Sequence, residues 1–301
     1  MGIWVDTDMS TDDIFAICVL AAHAPIDGIS LTHGVTGLAQ VRRNAAGAAA
    51  ALGWQIPVHH GADQALLGGL LDITHILGET GIRSRGTTLP DAPDRAGPGA
   101  VTALAGWLEG QAGASILALG PLTNLAALAL IRPDLLTRIA RITWMGGGVT
   151  SGNHTASAEF NALADPEALA VLLARAVPIR MIDLDACRRV QITEDHVSAL
   201  RAGSGANSAL MADLLGGYLD IALERGRPSM ALYDPVAAVA LIRPDLFSFA
   251  PVRLEAELSG THTRGRTVVE TRHPDTHNAQ IATDLDAASI LDLCMAAWCA
   301  A

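Results

Sequence analysis

The most informative absence in this chain of 301 residues is lysine, because all 20 basic side chains are arginines. Without lysine the chain has no amine side chain for a Schiff base and no P-loop lysine for a nucleotide phosphate. Acidic residues number 31, so the formal net charge is −11. Nucleic acids and anionic membranes both bind clustered cations. We therefore expect neither a nucleic acid nor a membrane as a partner.

Cysteine is also scarce, and the four cysteines show neither metal-binding nor redox spacing. The longest apolar run, residues 116–131, is interrupted by Gly-Pro and Thr-Asn and is too short to span a bilayer. No basic start of a secretory signal peptide precedes the first apolar segment. A reduced, cytoplasmic protein is therefore expected. The cysteines are Cys18, Cys187, Cys294 and Cys299.

What the chain does contain is an alternation of short apolar segments and helical patterns. Ile3–Val5 is typical of a buried strand, and Leu38–Leu52 of a helix. Such alternation predicts βαβ units, with a mainly parallel central sheet, flanking helices and a Rossmann-like core. Ligands are then expected at the C-terminal edge of the strands. No linker divides residues 1–301, so we predict a single catalytic domain, with a long excursion at residues 61–99.

Four carboxylates follow the first predicted strand within eight positions: Asp6, Asp8, Asp12 and Asp13. The last two fall in the first turn of a helix, where a serine or threonine cap and the helix dipole favour negative charge. Capping explains one or two of these acids, but four like charges repel one another unless a cation lies among them. Because hard divalent cations prefer carboxylate oxygens, we predict a metal site here. The alternative is a capped helix with a solvated acidic turn.

This opening resembles two families of enzymes. Asp6–Asp13, with the sequence DTDMSTDD, is similar to the DTDxxxDD signature of the nucleoside hydrolases. These calcium-dependent enzymes cleave the N-glycosidic bond of ribonucleosides. Phosphatases of the haloacid dehalogenase type also place an Asp-x-Asp pair after a first apolar strand. They normally use a lysine, which this chain lacks, so the nucleoside hydrolases are favoured.

Later stretches match the nucleoside hydrolases in order and approximate spacing across nearly the whole chain. Each alone is ordinary, as a turn, a helix cap or a solvated charge, but the combination is specific. Glu159 and Asn161 are two positions apart, so we expect an extended backbone that turns both toward the vicinal hydroxyls of a sugar. The matching stretches are Leu119–Asn124, Trp144–Gly148, Asn153 with Ala158–Asn161, Asp234–Pro235 and Arg264–Thr267.

The resemblance implies a calcium site. Asp8, Asp13, Asp234 and the main-chain carbonyl of Leu119 would hold Ca²⁺, and Asp234 would also contact the substrate. Asp6 would steady the loop from behind. Asp8 would accept the proton of the attacking water as a general base.

The resemblance also implies a ribose site beside the metal. Asp12 and Asn161 would bind the 2′- and 3′-hydroxyls, and Asn153 and Glu159 would bind the 5′-hydroxyl side. Met145 would line the ribose pocket. The amide oxygen of Asn161 would stabilise the positive charge that develops on the sugar as the bond breaks.

Three positions depart from the family pattern. Many nucleoside hydrolases carry a histidine before the metal-binding aspartate as the acid for the leaving base, and this chain has Tyr233 there. A second common histidine falls on Leu77, and an asparagine after the second strand becomes Val35. The base preference and the group that assists base departure therefore stay open. Replacements for the missing acid could come from His33, His75, Tyr218, Arg225, Arg227 or a stacking tryptophan.

We interpret the chain as a calcium-dependent hydrolase of the N-glycosidic bond of purine or pyrimidine ribonucleosides, with a catalytic group of Asp8, Asn161 and Tyr233. The family resemblance implies a homodimer or a homotetramer. One alternative is a hydrolase of another N-riboside, and another is a nucleoside- or riboside-binding protein without turnover. An Asp-x-Asp phosphatase is the least favoured interpretation.

Overall fold

A central β-sheet organises the molecule. We describe a computed structural model of the chain that covers residues 2–71, 73–94, 97 and 99–301. The strands in this part are β1 (Ile3–Thr7), β2 (Gly28–Leu31), β3 (Val58–His60), β4 (Ala114–Ala118), β5 (Ile139–Met145), β6 (Ile179–Ile182), β7 (Gln191–Ile192), β8 (Met230–Ala231), β9 (Phe247–Ala256), β10 (Thr267–Glu270) and β11 (Ala279–Leu285). Nine of them form one sheet in the order β10-β9-β11-β6-β5-β4-β1-β2-β3, while β7 pairs with β8.

Helices cover both faces of this sheet. They are α1 (Thr11–His23), α2 (Leu38–Leu52), α3 (Thr74–Leu77), α4 (Ala100–Glu109), α5 (Thr123–Ile131), α6 (Phe160–Ala164), α7 (Pro166–Ala174), α8 (Leu184–Cys187), α9 (Glu194–Arg201), α10 (Ser208–Leu223), α11 (Asp234–Ile242) and α12 (Ala287–Ala300). In the ranges that the structure describes, none of these helices combines the length and apolar character needed to cross a membrane.

Strand residues alternate between two hydrophobic cores, because successive side chains of a strand point to opposite faces. Val5 and Leu117 contribute to the core that contains side chains of α1, α10 and α11. Trp4 and Ile116 contribute to the opposite core, which contains side chains of α4, α5 and α7. All four strand residues are buried, which explains why these strands are apolar on both faces.

The sheet is mainly parallel. The strands from β3 to β11 in sheet order pair in parallel, and β9 and β10 extend one edge with antiparallel pairs. Strand β1 lies between β2 and β4. From β1 the chain continues to β2 and β3 on one side of it, and it then passes to β4, β5 and β6 on the other side. Such a topological switch point opens a crevice at the carboxyl ends of the strands. The predicted fold class is confirmed.

Strand β11 is the main element that the sequence pattern missed. It lies between β6 and β9, parallel to the first and antiparallel to the second. Its pairing shifts between Ala282 and Asp284, and several of its side chains are exposed. Because this irregularity weakens the alternation of apolar and polar residues, the segment resembles a loop. Strand β9 begins at Phe247, whereas the apolar pattern of the sequence predicts a strand only at Val252–Leu258.

The predicted excursion at residues 61–99 has little regular structure. Its described part contains the short helix α3 and turns at four glycines with positive φ, Gly68, Gly69, Gly78 and Gly81. The residues of this stretch that lie outside the described part are Asp72, Arg95, Ala96 and Pro98.

Candidate functional site

One cavity opens at the carboxyl ends of β1, β4 and β5, and every residue assigned to the site from the sequence lines it. The cavity has a volume of about 150 Å³. Four carboxylates and one main-chain carbonyl form its floor, a name kept below for Asp8, Asp12, Asp13, Asp234 and Leu119. The other predicted residues along the cavity are Met145, Asn153, Glu159, Asn161 and Tyr233.

The loop between β1 and α1 holds an unusual backbone conformation. Met9 has a φ of 51°, in the left-handed region that residues other than glycine rarely adopt. Its N–H donates to the Thr7 hydroxyl at 2.9 Å, and its carbonyl accepts from Asn44 Nδ2 at 3.1 Å. These contacts stabilise a sharp bend directly after Asp8.

Asp13 serves both the helix and the floor. The N–H of Ser10 donates to Asp13 Oδ2 at 2.9 Å, and the Ser10 hydroxyl lies 2.8 Å from the same oxygen. The Thr7 hydroxyl donates to the other oxygen of Asp13. Ser10 is thus the cap of α1, one of the two caps that the sequence predicted.

Asp8 packs against the chain that follows β2. The N–H of Val35 donates to Asp8 Oδ2 at 2.7 Å. A Cβ atom on Gly34 would lie 1.9 Å from the same oxygen, so only glycine fits beside this carboxylate. Although Val35 stands where the family has asparagine, its main chain supplies a hydrogen bond to Asp8.

The floor carboxylates lie close together without a basic partner. Oxygens of Asp12, Asp13 and Asp234 lie within 4.8 Å of one another. Burial, together with Asp13, raises the pKa of Asp8 well above its usual range. Burial and the neighbouring acids likewise raise the pKa of Asp234, and they raise that of Asp12 to about 6. None of the four forms an ion pair with an arginine or histidine in the described ranges.

This donor set fits a divalent cation. Taken alone, buried carboxylates with raised pKa values bind protons near neutral pH, whereas a cation among them keeps them ionised. The sites that hard cations prefer are built from carboxylate and carbonyl oxygens, and the floor offers both. The tight group of three includes Asp12, which the resemblance had assigned to the sugar.

Asn161 joins the floor to the side of the cavity. Its Nδ2 donates to the carbonyl of Leu119 at 2.9 Å and to that of Met145 at 3.0 Å. Both amide protons are therefore engaged by the ends of two strands, and the amide oxygen is left as the acceptor. A carbonyl has two lone pairs, so Leu119 keeps one for a further ligand.

The prediction of an extended backbone at Glu159 and Asn161 is wrong. Glu159 is the cap of α6, and Asn161 lies inside that helix. The Glu159 carboxylate accepts N–H groups from Gly147 at 2.8 Å, Asn161 at 2.9 Å and Ala162 at 3.0 Å. The two side chains reach the same cavity because a helix begins between them, which residue spacing alone did not predict. Burial nevertheless raises the pKa of Glu159 to about 7.

Asn153 lies in the bend before this helix. Its amide oxygen accepts the N–H of Phe160 at 2.9 Å, which leaves its NH₂ group as the available donor. His154 follows it and also lines the cavity, with its ring 5.7 Å from that of Phe160. Neither His154 nor Phe160 was predicted as a site residue, although Phe160 lies within the matching stretch Ala158–Asn161.

Two buried polar groups at the ends of β1 and β2, Asp6 and His33, do not line the cavity. Asp6 accepts from Asn124 Nδ2 at 2.8 Å and from the Ser30 hydroxyl, while burial raises its pKa to about 7. His33 Nε2 lies 3.1 Å from the Thr123 hydroxyl, which donates to Asp165 at 2.7 Å; the hydroxyl oxygen accepts the histidine N–H.

A largely apolar wall faces the floor. It is formed by Tyr218, Ile221, Arg225, Met230 and Tyr233, together with Ile73, Ile76 and Leu77. We use the name wall for these residues below.

The wall narrows the replacements considered for the missing histidine. Tyr218 and Arg225 line the cavity. His33 is buried outside the cavity lining. Neither His75 nor Arg227 is among the lining residues. No tryptophan of the described chain lines the cavity. Tyr233 lines it as expected, and burial raises its pKa to about 12.

Excursion and wall are joined by ion pairs. Arg83 Nη1 lies 2.7 Å from the carboxylate of Glu224, next to the end of α10. Arg85 contacts Asp220 of α10 at 2.7 Å and Glu194 of α9 at 2.7 Å. These pairs fix the end of α10 against the excursion.

The sequence is similar to those of known enzymes. A pyrimidine-specific ribonucleoside hydrolase RihA from Escherichia coli is 32% identical, over 97% of this chain and 96% of its own length. The protein of the same name from Shewanella woodyi is 35% identical, over 79% of this chain and 78% of its own.

Solved structures share the fold. A purine-preferring ribonucleoside hydrolase from Gardnerella vaginalis superposes with a TM-score of 0.91 and is 26% identical, covering 99% of this chain and 98% of its own. A plant nucleoside hydrolase, PpNRh1, also reaches 0.91 at 22% identity, covering 100% of this chain and 99% of its own. The family model of the inosine-uridine preferring nucleoside hydrolases matches residues 3–292. The chain therefore belongs to the nucleoside hydrolases, enzymes that hydrolyse the N-glycosidic bond of ribonucleosides.

Proposed function

We propose that this enzyme is calcium-dependent and releases the free base and ribose from ribonucleosides. The observation that supports the proposal is the floor, where four carboxylates and a strand-end carbonyl line one cavity without a basic partner. The family match removes the reason to consider an Asp-x-Asp phosphatase. The homodimer or homotetramer and the cytoplasmic location stay predictions of the sequence.

In this proposal Asp8, Asp13, Asp234 and the carbonyl of Leu119 hold Ca²⁺. When bound, the ion lowers the pKa of a water molecule and orients ribose hydroxyls. Asp8 accepts the proton of the water that attacks C1′ of the ribose. Its Oδ2 accepts the N–H of Val35, which holds the carboxylate in position.

The ribose is bound by groups whose free atoms face the cavity. Asp12 and the amide oxygen of Asn161 accept hydrogen bonds from the 2′- and 3′-hydroxyls, while Asn153 and Glu159 bind the 5′-hydroxyl side. Met145 packs against the sugar. As the C1′–N bond breaks, the sugar gains positive charge, and the surrounding oxygen atoms stabilise it.

Pyrimidine ribonucleosides are the first substrates to test, since two relatives at 32% and 35% identity are named pyrimidine-specific. Purified enzyme would be incubated with uridine, cytidine, inosine and adenosine, and reducing sugar would be measured. We expect ribose release from at least one pyrimidine nucleoside. We also expect its loss after chelation and its return on adding Ca²⁺.

Two outcomes would contradict this proposal. Full activity in metal-free enzyme would contradict the requirement for calcium. Tight binding of ribose with no release of sugar from any nucleoside would instead favour a binding protein or a hydrolase of another N-riboside.

A further inference from the structure

The cavity has a charge distribution that matches the breaking bond. When C1′–N cleaves with both electrons going to nitrogen, the sugar becomes positive and the base negative. The floor carboxylates lie at one end of the cavity. Among the described lining residues the arginine is Arg225, which is exposed at the entrance. The floor therefore carries negative groups, where our proposal places the sugar, and the wall carries a cation, where it places the base.

Arg225 is held in position but its guanidinium is not engaged. It lies just beyond α10, where its N–H donates to the carbonyl of Ala222 at 3.0 Å. The preceding Glu224 is bound by Arg83, which anchors this turn to the excursion. Within the described chain no side chain forms an ion pair or hydrogen bond with the Arg225 guanidinium. The group is therefore available to a ligand.

The other polar groups of the wall are less suited to assist the base. Tyr218 has one hydroxyl proton, and its oxygen lies 3.1 Å from the carbonyl of Ala231 and 3.4 Å from Asp12 Oδ2. It thus interacts with the floor and with the main chain. Tyr233 is a weak acid at neutral pH because its pKa is raised. His154 is next to Asn153, which our proposal places at the 5′ side of the sugar.

We propose that Arg225 stabilises the departing base as an anion and so replaces the missing histidine acid. This inference rests on the proposed function and names its leaving group. The bases that suit it carry a carbonyl oxygen beside the glycosidic nitrogen, as uracil and cytosine do. A guanidinium is always protonated and donates N–H groups in a planar fork that fits such an oxygen.

The step balances without a further reactant. The C1′–N1 bond breaks, its electron pair moves onto N1 and the adjacent carbonyl oxygen, and Arg225 binds that oxygen without losing a proton. Water forms the new bond to C1′, and its proton goes to Asp8. The base anion takes a proton from solvent after release.

The test compares Arg225→Gln with wild type on three substrates that differ in leaving group. On uridine, losing a charged donor to the leaving group is expected to lower kcat by roughly 10²–10³-fold. The loss should be smaller on 5-fluorouridine, whose base is a more stable anion. On 4-nitrophenyl riboside, whose leaving group needs no assistance, the change should stay below about threefold.

Arg175→Gln is the matched control, because Arg175 is an exposed arginine just beyond α7, as Arg225 is just beyond α10, and it does not line the cavity. It should leave all three rates unchanged. Added guanidinium ion should partly restore uridine hydrolysis in Arg225→Ala and have no such effect on the wild type.

Equal losses on all three substrates, or no loss on uridine, would overturn the role of Arg225 while leaving the hydrolase itself intact. Failure of the proposed function is a different result, in which the wild type releases no sugar from uridine at all.

Discussion

The floor and the wall of the cavity are built in different ways. The floor residues stand at strand ends or helix starts, and hydrogen bonds from main-chain or short side-chain groups orient them, as Val35 does for Asp8. The wall consists mainly of apolar side chains from α10, the excursion and the turn before α11. Tyr233 and Leu77, both departures from the family pattern, belong to the wall. The floor, where our proposal places the sugar and the metal, is thus fixed by the fold, and the wall, where it places the base, is free to vary.

The largest expected effect tests the floor through the substrate. In our proposal, removing the 2′-hydroxyl leaves the partly buried Asp12 and the buried Asn161 without a partner. A site built to bind a hydroxyl rejects the analogue without it by roughly 10⁴-fold in kcat/KM. The measurement compares uridine with 2′-deoxyuridine, and similar values for the two would contradict a ribose site at the floor.

A second test removes one floor carboxylate. Asp234→Ala is preferable to changing Asp13, whose carboxylate also accepts hydrogen bonds from Ser10 and Thr7. We expect kcat/KM to fall by about 10³-fold, since a metal ion contributes several kcal/mol of charge stabilisation.

The metal content of the same variant, measured by mass spectrometry, should fall. Its melting temperature after chelation should differ little from that of the chelated wild type. Asp245→Ala is the control, because Asp245 is exposed and paired with Arg243 outside the cavity. If the variant lost the metal but kept its activity, the metal would not be required for the reaction.

A third test concerns His33, which is buried outside the cavity lining, and measures stability as a function of pH. Burial lowers the pKa of His33 in the folded protein, so the unfolded chain binds a proton more readily. The contribution of His33 to stability is therefore complete above its unfolded pKa of about 6.5 and is lost as the pH falls below that value.

His33→Gln should reduce the fall in melting temperature between pH 7 and pH 5, by roughly a few degrees for a 1 kcal/mol effect. His262→Gln, at an exposed position, should behave as the wild type. Parallel curves for wild type and His33→Gln would exclude His33 as the titrating group.

The smallest expected effect is at the wall. Tyr233 has a raised pKa and no hydroxyl partner within the described residues, so we expect it to pack against the base and not to donate a proton. Tyr233→Phe should change kcat on uridine and on 4-nitrophenyl riboside by less than about threefold. A large loss on uridine alone would assign proton donation to Tyr233, and an equal large loss on both would point to the metal site.

The same contrast explains what the sequence could predict. The floor follows from a compact motif, because acids at the end of an apolar strand meet at one sheet edge whatever the rest of the chain does. The wall follows from tertiary packing, so Arg225 could be named as a candidate but not selected. Glu159 shows an intermediate case: its place at the cavity was predicted, yet its backbone was not, because a helix begins at the next residue.

The ion pairs that join the excursion to α10 make the two ends respond differently to ionic strength. Arg83 and Arg85 pair with acids at the molecular surface, and dissolved salt screens attraction between such exposed charges. The Met9 bend and the capping of α1 depend on hydrogen bonds between buried groups, which salt screens far less. The end of α10 beside the wall is therefore held by contacts that are more sensitive to salt than those that hold the loop after β1.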